Sequence, residues 1–194
     1  MTALCSAFTA LHRRLRVLAW DFRHETKGIA AVEFALVLPI LVVLYLGSIE
    51  LTNGLTVNRK VAQVASTVGD LIAQYRTLDC PTVDDIFQAS SAIMTPYNST
   101  GLSLSVAGIR YDSAGVGTVD WSRTNAGGTA DGLLTEVPLS LQVADTYLVI
   151  AKSDFTYQAL FTSFSNDQFG TTSWPLSDIF FLRPRVGSEI NFSC

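Results

Sequence analysis

One long apolar run near the N-terminus constrains this chain more than any other feature. Residues 29–51 read IAAVEFALVLPILVVLYLGSIEL, and from Ile29 to Leu46 only Glu33 and Pro39 interrupt the apolar positions. At about 1.5 Å per residue, a helix of roughly 20 residues crosses a hydrocarbon core of about 30 Å. The run therefore predicts a transmembrane helix over 29–51. Glu33, the one acid between Ile29 and Leu46, lies near an end of the run. A carboxylate in hydrocarbon costs on the order of 3 kcal/mol and usually marks a function or a partner.

The charge on the two sides of this run is unequal. Residues 1–28 carry 5 of the 13 basic and 2 of the 17 acidic residues, a net charge of +3, whereas the remainder carries −7. Because basic residues beside a span stay in the cytoplasm, we expect the N-terminus inside and the long acidic part outside. An acidic exported domain gives no electrostatic reason to expect nucleic-acid binding.

The first 28 residues are predicted to be a cytoplasmic basic leader rather than a fold. Their apolar residues recur at spacings of three and four, which is typical of an amphipathic helix lying on an anionic membrane surface. The alternative is a charged flank that only fixes orientation. A secretory signal peptide is disfavoured, because the apolar run exceeds the usual length of about 7–15 residues and no convincing Ala-x-Ala site follows it.

Helical periodicity continues beyond the membrane. One apolar stripe recurs at mostly three or four residues and predicts an amphipathic extension over 52–80, ending near Leu78 because the residue before Pro81 disfavours helix. Its positions are Leu51, Leu55, Ala62, Ala65, Val68, Ile72 and Tyr75, with Asn58 in the gap.

Residues 81–194 are predicted to form an exported α+β domain. A short helix begins near Thr82–Asp85 and ends at Thr95-Pro96. Alternating residues then predict a hairpin of 102–112 with 116–123, a strand or turn at 139–143, a long strand over 146–158, and a last strand over 179–186 that Pro184 places at an edge. The expected fold class is α+β, with the long N-terminal helix packed on a small antiparallel sheet.

The three cysteines divide by compartment. Cys5 precedes the span, whereas Cys80 and Cys194 lie on the exported side, where disulfides persist. We therefore predict a Cys80–Cys194 disulfide that closes nearly the whole outer domain. The alternative is two unpaired thiols.

Catalytic and metal-binding patterns are sparse. Both histidines, His12 and His24, precede the span, and the sequence contains no Cys-x-x-Cys, HExxH, G-x-S-x-G or phosphate loop. We expect no enzyme, no cofactor and no metal site. Four acids are candidate calcium ligands but lack EF-hand spacing, and we expect them to be solvated: Asp84, Asp85, Asp120 and Asp131. Aromatic residues of the outer domain are read as core or strand-face packing: Trp121, Tyr147, Phe155, Tyr157 and Phe161.

The stretch Gly28-Ile29-Ala30-Ala31-Val32-Glu33-Phe34 resembles the class III signal of prepilins, in which a small residue precedes the cleaved bond and Glu-Phe follows at the fifth and sixth mature positions. Continued through ALVLPILVVLYLGSIEL, it closely resembles the TadE-like family, the minor pseudopilins of the tight-adherence (Flp) pilus machinery. Softer likenesses are the Trp121-Ser122-Arg123 hairpin, the aromatic strand 154–161 and Arg183-Pro184-Arg185. Ala159 departs from the pattern, standing where proline is common.

The resemblance implies a pilin-like structural protein of the bacterial inner membrane, with a periplasmic C-terminal domain. A prepilin peptidase would cut between Gly28 and Ile29, and Glu33 with Phe34 would serve peptidase recognition and assembly. Expected partners are that peptidase, other pilins or pseudopilins, inner-membrane tight-adherence components and membrane lipid. Entry into the pilus itself is left open. The alternative function is a permanently anchored single-span protein whose outer domain binds a ligand or partner.

Two further features of the span concern helix association. After cleavage, Glu33 lies four residues from the new N-terminus on nearly the same helix face, so that it can pair with the ammonium of a neighbouring subunit. The alternatives are that Glu33 extends to the membrane surface or is protonated. Pro39 either kinks the helix or is inert, and Ala31 with Ala35 form a small-xxx-small pair that permits close helix approach.

Overall fold

The computed structural model of the chain describes residues 28–159 and 173–194. Residues 1–27 lie outside the described residues, and so do Cys5, His12, His24 and Phe161 on which predictions fell. The chain divides into two compact units, Met1–Ile49 and Glu50–Cys194. Helix α1 (Ile29–Ile72) contributes residues to both units.

The second unit contains two sheets. The elements after α1 are β1 (Thr77–Asp79), α2 (Cys80–Ser91), a 3-10 helix (Ala92–Met94), β2 (Ser103–Tyr111), β3 (Gly117–Thr124), 3-10 helices at Leu133–Glu136 and Leu139–Leu141, β4 (Tyr147–Gln158), β5 (Ser173–Leu182) and β6 (Asn191–Ser193). An antiparallel sheet has the order β3-β2-β4-β5, and β1 pairs in parallel with β6. The predicted α+β class, with a long apolar N-terminal helix and a small antiparallel sheet, is confirmed.

The C-terminal half of α1 covers one face of the four-stranded sheet. Its buried apolar side chains recur every three or four residues and pack in one cluster with alternate side chains of β2 and β4, such as Val106 and Val149. The helix side of this contact consists of Val57, Val61, Val64, Val68 and Ile72. The short Gly69 lets helix and strand approach closely, because a Cβ there would lie 3.1 Å from the Cβ of Ala151.

This buried stripe agrees with the sequence pattern only at Ala65, Val68 and Ile72, which are buried as predicted. Leu51 and Leu55 are exposed, with 65% and 54% of their surface accessible, and Tyr75 is exposed as well. Helix α1 instead packs its narrow β-branched side chains against the sheet, because the sheet residues that face the helix come within van der Waals distance of the helix backbone. Ser153 shows how close the contact is, since its buried Oγ donates to the carbonyl oxygen of Val61 at 2.8 Å.

Helix α1 also ends earlier than the expected Leu78. The last turn tightens, with Tyr75 N donating to the carbonyl of Ile72, and the chain then enters β1. Leu78 is buried and faces Phe192 in the parallel ladder. Tertiary pairing with β6 therefore overrides the helical pattern of residues 73–79, the last part of the predicted 52–80 extension.

The other boundaries differ from the predictions in smaller ways. Asp79 is the N-cap of α2, accepting from Thr82 N at 2.9 Å, so that this helix begins at Cys80. The predicted hairpin and long strand are present as β2, β3 and β4. Of the strand or turn predicted at 139–143, the turn is present as the 3-10 helix Leu139–Leu141. Strand β5 is at an edge as expected, but it begins at Ser173, ends at Leu182 and does not include Pro184.

The second face of the sheet is covered by the connection between β3 and β4. Leu133 and Val137 pack there against the alternate side chains of the strands, including Ile109 and Ile150. Both faces are thus buried, one under a helix and the other under a loop. This explains why β2 and β4 read as nearly continuous apolar runs rather than as clean alternation.

Candidate processing and assembly site

The first unit consists, in its described part, of an apolar helix whose side chains are exposed. Large apolar residues from Ile29 to Tyr45 expose 42–71% of their surface, and the most hydrophobic window of the helix has a mean hydropathy of 2.6 with none of it buried. By length and composition α1 is able to cross a membrane. Such a surface is stable only against lipid or other apolar helices, and the helix therefore indicates membrane anchoring.

The predicted processing and recognition residues lie at the start of this helix. Gly28 immediately precedes α1, Ile29 is its first residue, and a Cβ at Gly28 would meet nothing within 4 Å among the described atoms. Glu33 and Phe34 are exposed on the first turns. A helix rises about 6 Å over four residues and turns about 400°, so Ile29 and Glu33 share a face.

Pro39 lies inside α1, which continues through it as helix. Its nitrogen has no hydrogen to donate to the carbonyl of Ala35 one turn earlier. Ala35 and Ala31 are exposed on the same helix face. The kink and close-approach interpretations of these residues stay predictions.

The second unit begins with a buried acid that the sequence reading did not single out. Glu50 is 7% exposed, and Tyr157, near the end of β4, donates its hydroxyl to Glu50 Oε1 at 2.8 Å. Burial, and then the carboxylate, raise the pKa of Tyr157 above its ordinary value. Tyr157 stacks on Trp174 of β5, with ring centroids 6.0 Å apart. The pair joins the start of this unit to a strand 107 residues later.

Cys80 and Cys194 are joined as a disulfide, with their Cα atoms 5.3 Å apart. Cys80 begins α2 and is half-buried, whereas Cys194 follows β6 and is exposed. Arg123 of β3 donates from Nη1 to Cys80 Sγ at 2.7 Å. The pairing of these thiols in the cell stays a prediction.

Two of the acids that we expected to be solvated are exposed and also form ion pairs. Asp84 forms a two-point contact with Arg123, at 2.8 Å to Nε and 2.6 Å to Nη2, which lowers the pKa of Asp84. Asp120 accepts from Arg110 at 3.4 Å and from the hydroxyl of Tyr147 at 3.2 Å. Asp84 therefore links α2 to β3, and Asp120 links β3 to β2 and β4. Residues 28–159 and 173–194 contain no group of three or more potential metal ligands.

The aromatic residues of the outer unit pack within the fold. Trp121, Tyr147 and Tyr157 are 5–7% exposed, and Phe155 packs on the same apolar cluster. Trp121 Nε1 donates to the hydroxyl of Tyr147 at 2.8 Å, and the Trp121 ring stacks on Phe192. They form part of the core rather than an open platform.

These features define an α+β fold with one long apolar N-terminal helix and a small antiparallel sheet, in which the length and composition of the helix suggest membrane anchoring. Residues 28–70 match a family model described as TadE-like protein, and this match confirms the resemblance seen in the sequence. The family is structural and pilus-associated; it indicates involvement in the Tad pilus system and interaction with other pilus components. No curated protein and no solved structure matches the chain significantly.

Proposed function

We propose that this protein is a minor pseudopilin-like structural component that takes part in assembling a tight-adherence (Flp) type IVb pilus or secretion machine. The observation that carries the proposal is a coincidence of positions. The family match begins at Gly28, the helix begins at Ile29, and the acid of the exposed apolar segment is five positions into that helix. A prepilin peptidase that cuts after Gly28 would make Glu33 the fifth residue of the mature chain.

The free energy of membrane insertion agrees with a spanning segment that contains Glu33. About a dozen large apolar residues between Ile29 and Tyr45 are exposed, and each contributes roughly −0.3 to −0.6 kcal/mol to membrane insertion, or about −4 to −7 kcal/mol together. One charged residue at the centre of a span costs about 3 kcal/mol, and less near an end. Insertion is therefore favourable with Glu33 present, while an uncompensated carboxylate still gives helices a reason to associate.

The partner of that carboxylate is an N-terminal ammonium. Residues 29–49 contain no Lys, Arg or His, so that this stretch of the helix offers no basic side chain to Glu33. Cleavage creates a cation at Ile29, one helical turn away on the same face. A contact between Glu33 of one subunit and Ile29 of its neighbour neutralises two charges that are costly to leave unpaired in apolar surroundings, and this favours one register between adjacent helices.

The remaining parts of the chain follow from this arrangement. The basic leader 1–28 is held on the cytoplasmic side of the bacterial inner membrane, where the peptidase cuts it. The domain over 81–194 is carried in the periplasm, with the 52–80 region joining it to the span. Lipid surrounds the exposed apolar residues between Ile29 and Tyr45 before assembly, and apolar helices of other pilins or pseudopilins replace it afterwards.

Piliation tests the assembly role. We expect Glu33→Ala to be exported and folded normally but to fail to support pili, because the helices lose their register-setting pair. Asp131→Ala is the matched control, since it removes an exposed acid outside the apolar run. Export is measured by protease accessibility of the outer domain, and pili by electron microscopy and by recovery of sheared filaments.

Normal pili with Glu33→Ala would remove the assembly role from this residue. If deletion of the whole gene also left piliation intact, the alternative would be favoured: a permanently anchored protein whose outer domain binds a ligand or partner.

A further inference from the structure

The two sulfurs of the disulfide lie in different surroundings. Cys80 Sγ is half-buried in the first turn of α2 and accepts a hydrogen bond from Nη1 of Arg123 at 2.7 Å. Cys194 is exposed to solvent after β6. A thiolate approaching from outside therefore reaches the sulfur of Cys194 more readily than that of Cys80.

The charges around Cys80 favour a negative sulfur there. The Arg123 side chain is only 16% exposed and touches Sγ directly, and the N-terminus of the twelve-residue helix α2 adds a positive end. Two carboxylates oppose this effect. Asp84 binds Arg123 through two contacts, and Asp79 accepts from the backbone of Thr82 as the helix cap.

We propose that the Cys80–Cys194 disulfide is a directional thiol-exchange site, attacked at Cys194 by a dithiol oxidoreductase, with Cys80 leaving as a thiolate that Arg123 stabilises. It rests on the disulfide and not on the assembly role. In the first step the partner's thiolate forms a bond to Cys194 Sγ, the Cys80–Cys194 bond breaks, and its electron pair goes to Cys80 Sγ. In the second step the partner's other thiolate displaces Cys194. The partner dithiol is oxidised to a disulfide, and the two cysteines are reduced by two electrons.

Contacts of the neighbouring residues keep Cys194 close to Cys80 after the bond opens. Phe192 stacks on Trp121 with ring centroids 4.8 Å apart, and Ile190 is 1% exposed. The hydroxyl of Tyr147 lies 3.3 Å from the carbonyl oxygen of Ile190 and shares its one hydrogen between this oxygen and Asp120. Since β6 stays docked, Cys80 is held where it can attack a mixed disulfide on Cys194. Oxidation runs through the same intermediate in reverse, with Cys80 as the resolving thiolate.

The position of attack is tested on the unaltered full chain in detergent. Oxidised protein is mixed with reduced glutathione, quenched in acid within seconds, treated with N-ethylmaleimide and analysed by non-reducing peptide mass spectrometry. We expect glutathione on Cys194 and maleimide on Cys80 in the singly opened product. Glutathione on Cys80, or an equal division between the two cysteines, would overturn the proposal.

Two substitutions of opposite sign test the role of Arg123. Arg123→Gln removes the cation at Cys80 Sγ and should slow opening, whereas Asp84→Asn leaves the cation uncompensated and should speed it. A leaving thiol of lower pKa leaves faster, and with a coefficient as large as the value of about 0.5 for the attacking thiol, one unit in its pKa changes the rate roughly threefold. Arg59→Gln, an exposed arginine of α1, is the matched control and should leave the rate unchanged.

A purely structural role for Arg123 predicts a different pattern. Both substitutions break the same ion pair, so that simple loosening would speed opening in each case. Faster opening in Arg123→Gln, or unchanged or slower opening in Asp84→Asn, would refute the electrostatic mechanism. Circular dichroism of the oxidised variants checks that each is folded before its rate is compared.

Discussion

Removing the disulfide should destabilise the outer domain mainly through its unfolded state. We consider the double substitution Cys80→Ala with Cys194→Ala. The bond spans a sequence separation of 114 residues, and a loop of that length contributes about 5 kcal/mol in the chain-entropy model. Small domains have a total free energy of unfolding of about 5–15 kcal/mol. The loss is therefore a large part of the whole.

The folded state should survive this change with little rearrangement. The parallel pairing of Leu78 with Phe192 is a backbone contact that does not need the sulfurs, and Ile190 stays in the core. The variant should thus fold to the same structure. What it loses is the restriction on the unfolded chain.

Urea unfolding of the full chain in detergent, followed by tryptophan fluorescence, measures the effect. Trp121 is buried beside β6 and Trp174 is in β5, so that both report on the outer domain. With an m value of about 2 kcal/mol/M, the unfolding midpoint should fall by roughly 2–2.5 M. Cys5→Ala is the matched control and should leave the midpoint unchanged. A shift below about 0.5 M in the double variant would refute the entropic account or the pairing itself.

Two further substitutions test contacts within the outer domain. Tyr157→Phe removes the donor to the buried carboxylate of Glu50 and should lower the free energy of unfolding by about 1.5–3 kcal/mol near neutral pH; an unchanged urea midpoint would contradict this. Because the pKa of Tyr157 is raised in the fold, its contribution to the free energy of unfolding is complete below the ordinary tyrosine pKa and is lost as pH rises through the raised value. The loss is about 1.4 kcal/mol one unit above the ordinary pKa. Tyr157→Phe should lack this part of the alkaline loss of stability, and identical losses in both proteins would contradict the assignment. Ser153→Ala removes the donor to the carbonyl of Val61, which still accepts its helical bond, and should cost about 0.5–1.5 kcal/mol; a loss above about 3 kcal/mol would mean that the contact does more than this single bond.

The N-terminal segment was predictable because its signal is local. An apolar run long enough to span a membrane, with an acid at a fixed distance from a small residue, needs no tertiary partner to be recognised. The hairpin and the long strand were predictable for the same reason, since runs of apolar and β-branched residues bounded by turn residues are visible within each element.

The features that were missed depend on distant residues. The buried carboxylate of Glu50 accepts a hydrogen bond from Tyr157, and the carboxylate of Asp84 pairs with Arg123. Strand β6 has three residues and no pattern of its own; it exists because β1 lies beside it. These contacts are invisible in any local window.

The first part of the buried stripe of α1 was assigned to the wrong residues for a related reason, whereas Ala65, Val68 and Ile72 were assigned correctly. Leu51 and Leu55 are larger and more apolar than the valines, which favoured them in the sequence pattern. The sheet selects Val57 and Val61 instead, because small groups such as Gly69 bring the helix close to the strands. The spacing of apolar residues shows that one face of the helix is buried, and the shape of the opposing sheet determines which face it is.

The mature N-terminus tests the central claim most directly. The full-length gene is expressed with and without an active prepilin peptidase, and the membrane-extracted protein is analysed by intact mass and N-terminal sequencing. Gly28→Leu, which places a bulky side chain before the scissile bond, is the matched uncleaved control. The proposed function predicts a chain that begins at Ile29 when the peptidase is active and at Met1 when it is absent. Retention of Met1 in the presence of active peptidase would contradict the claim that residues 29–51 are a processed assembly segment.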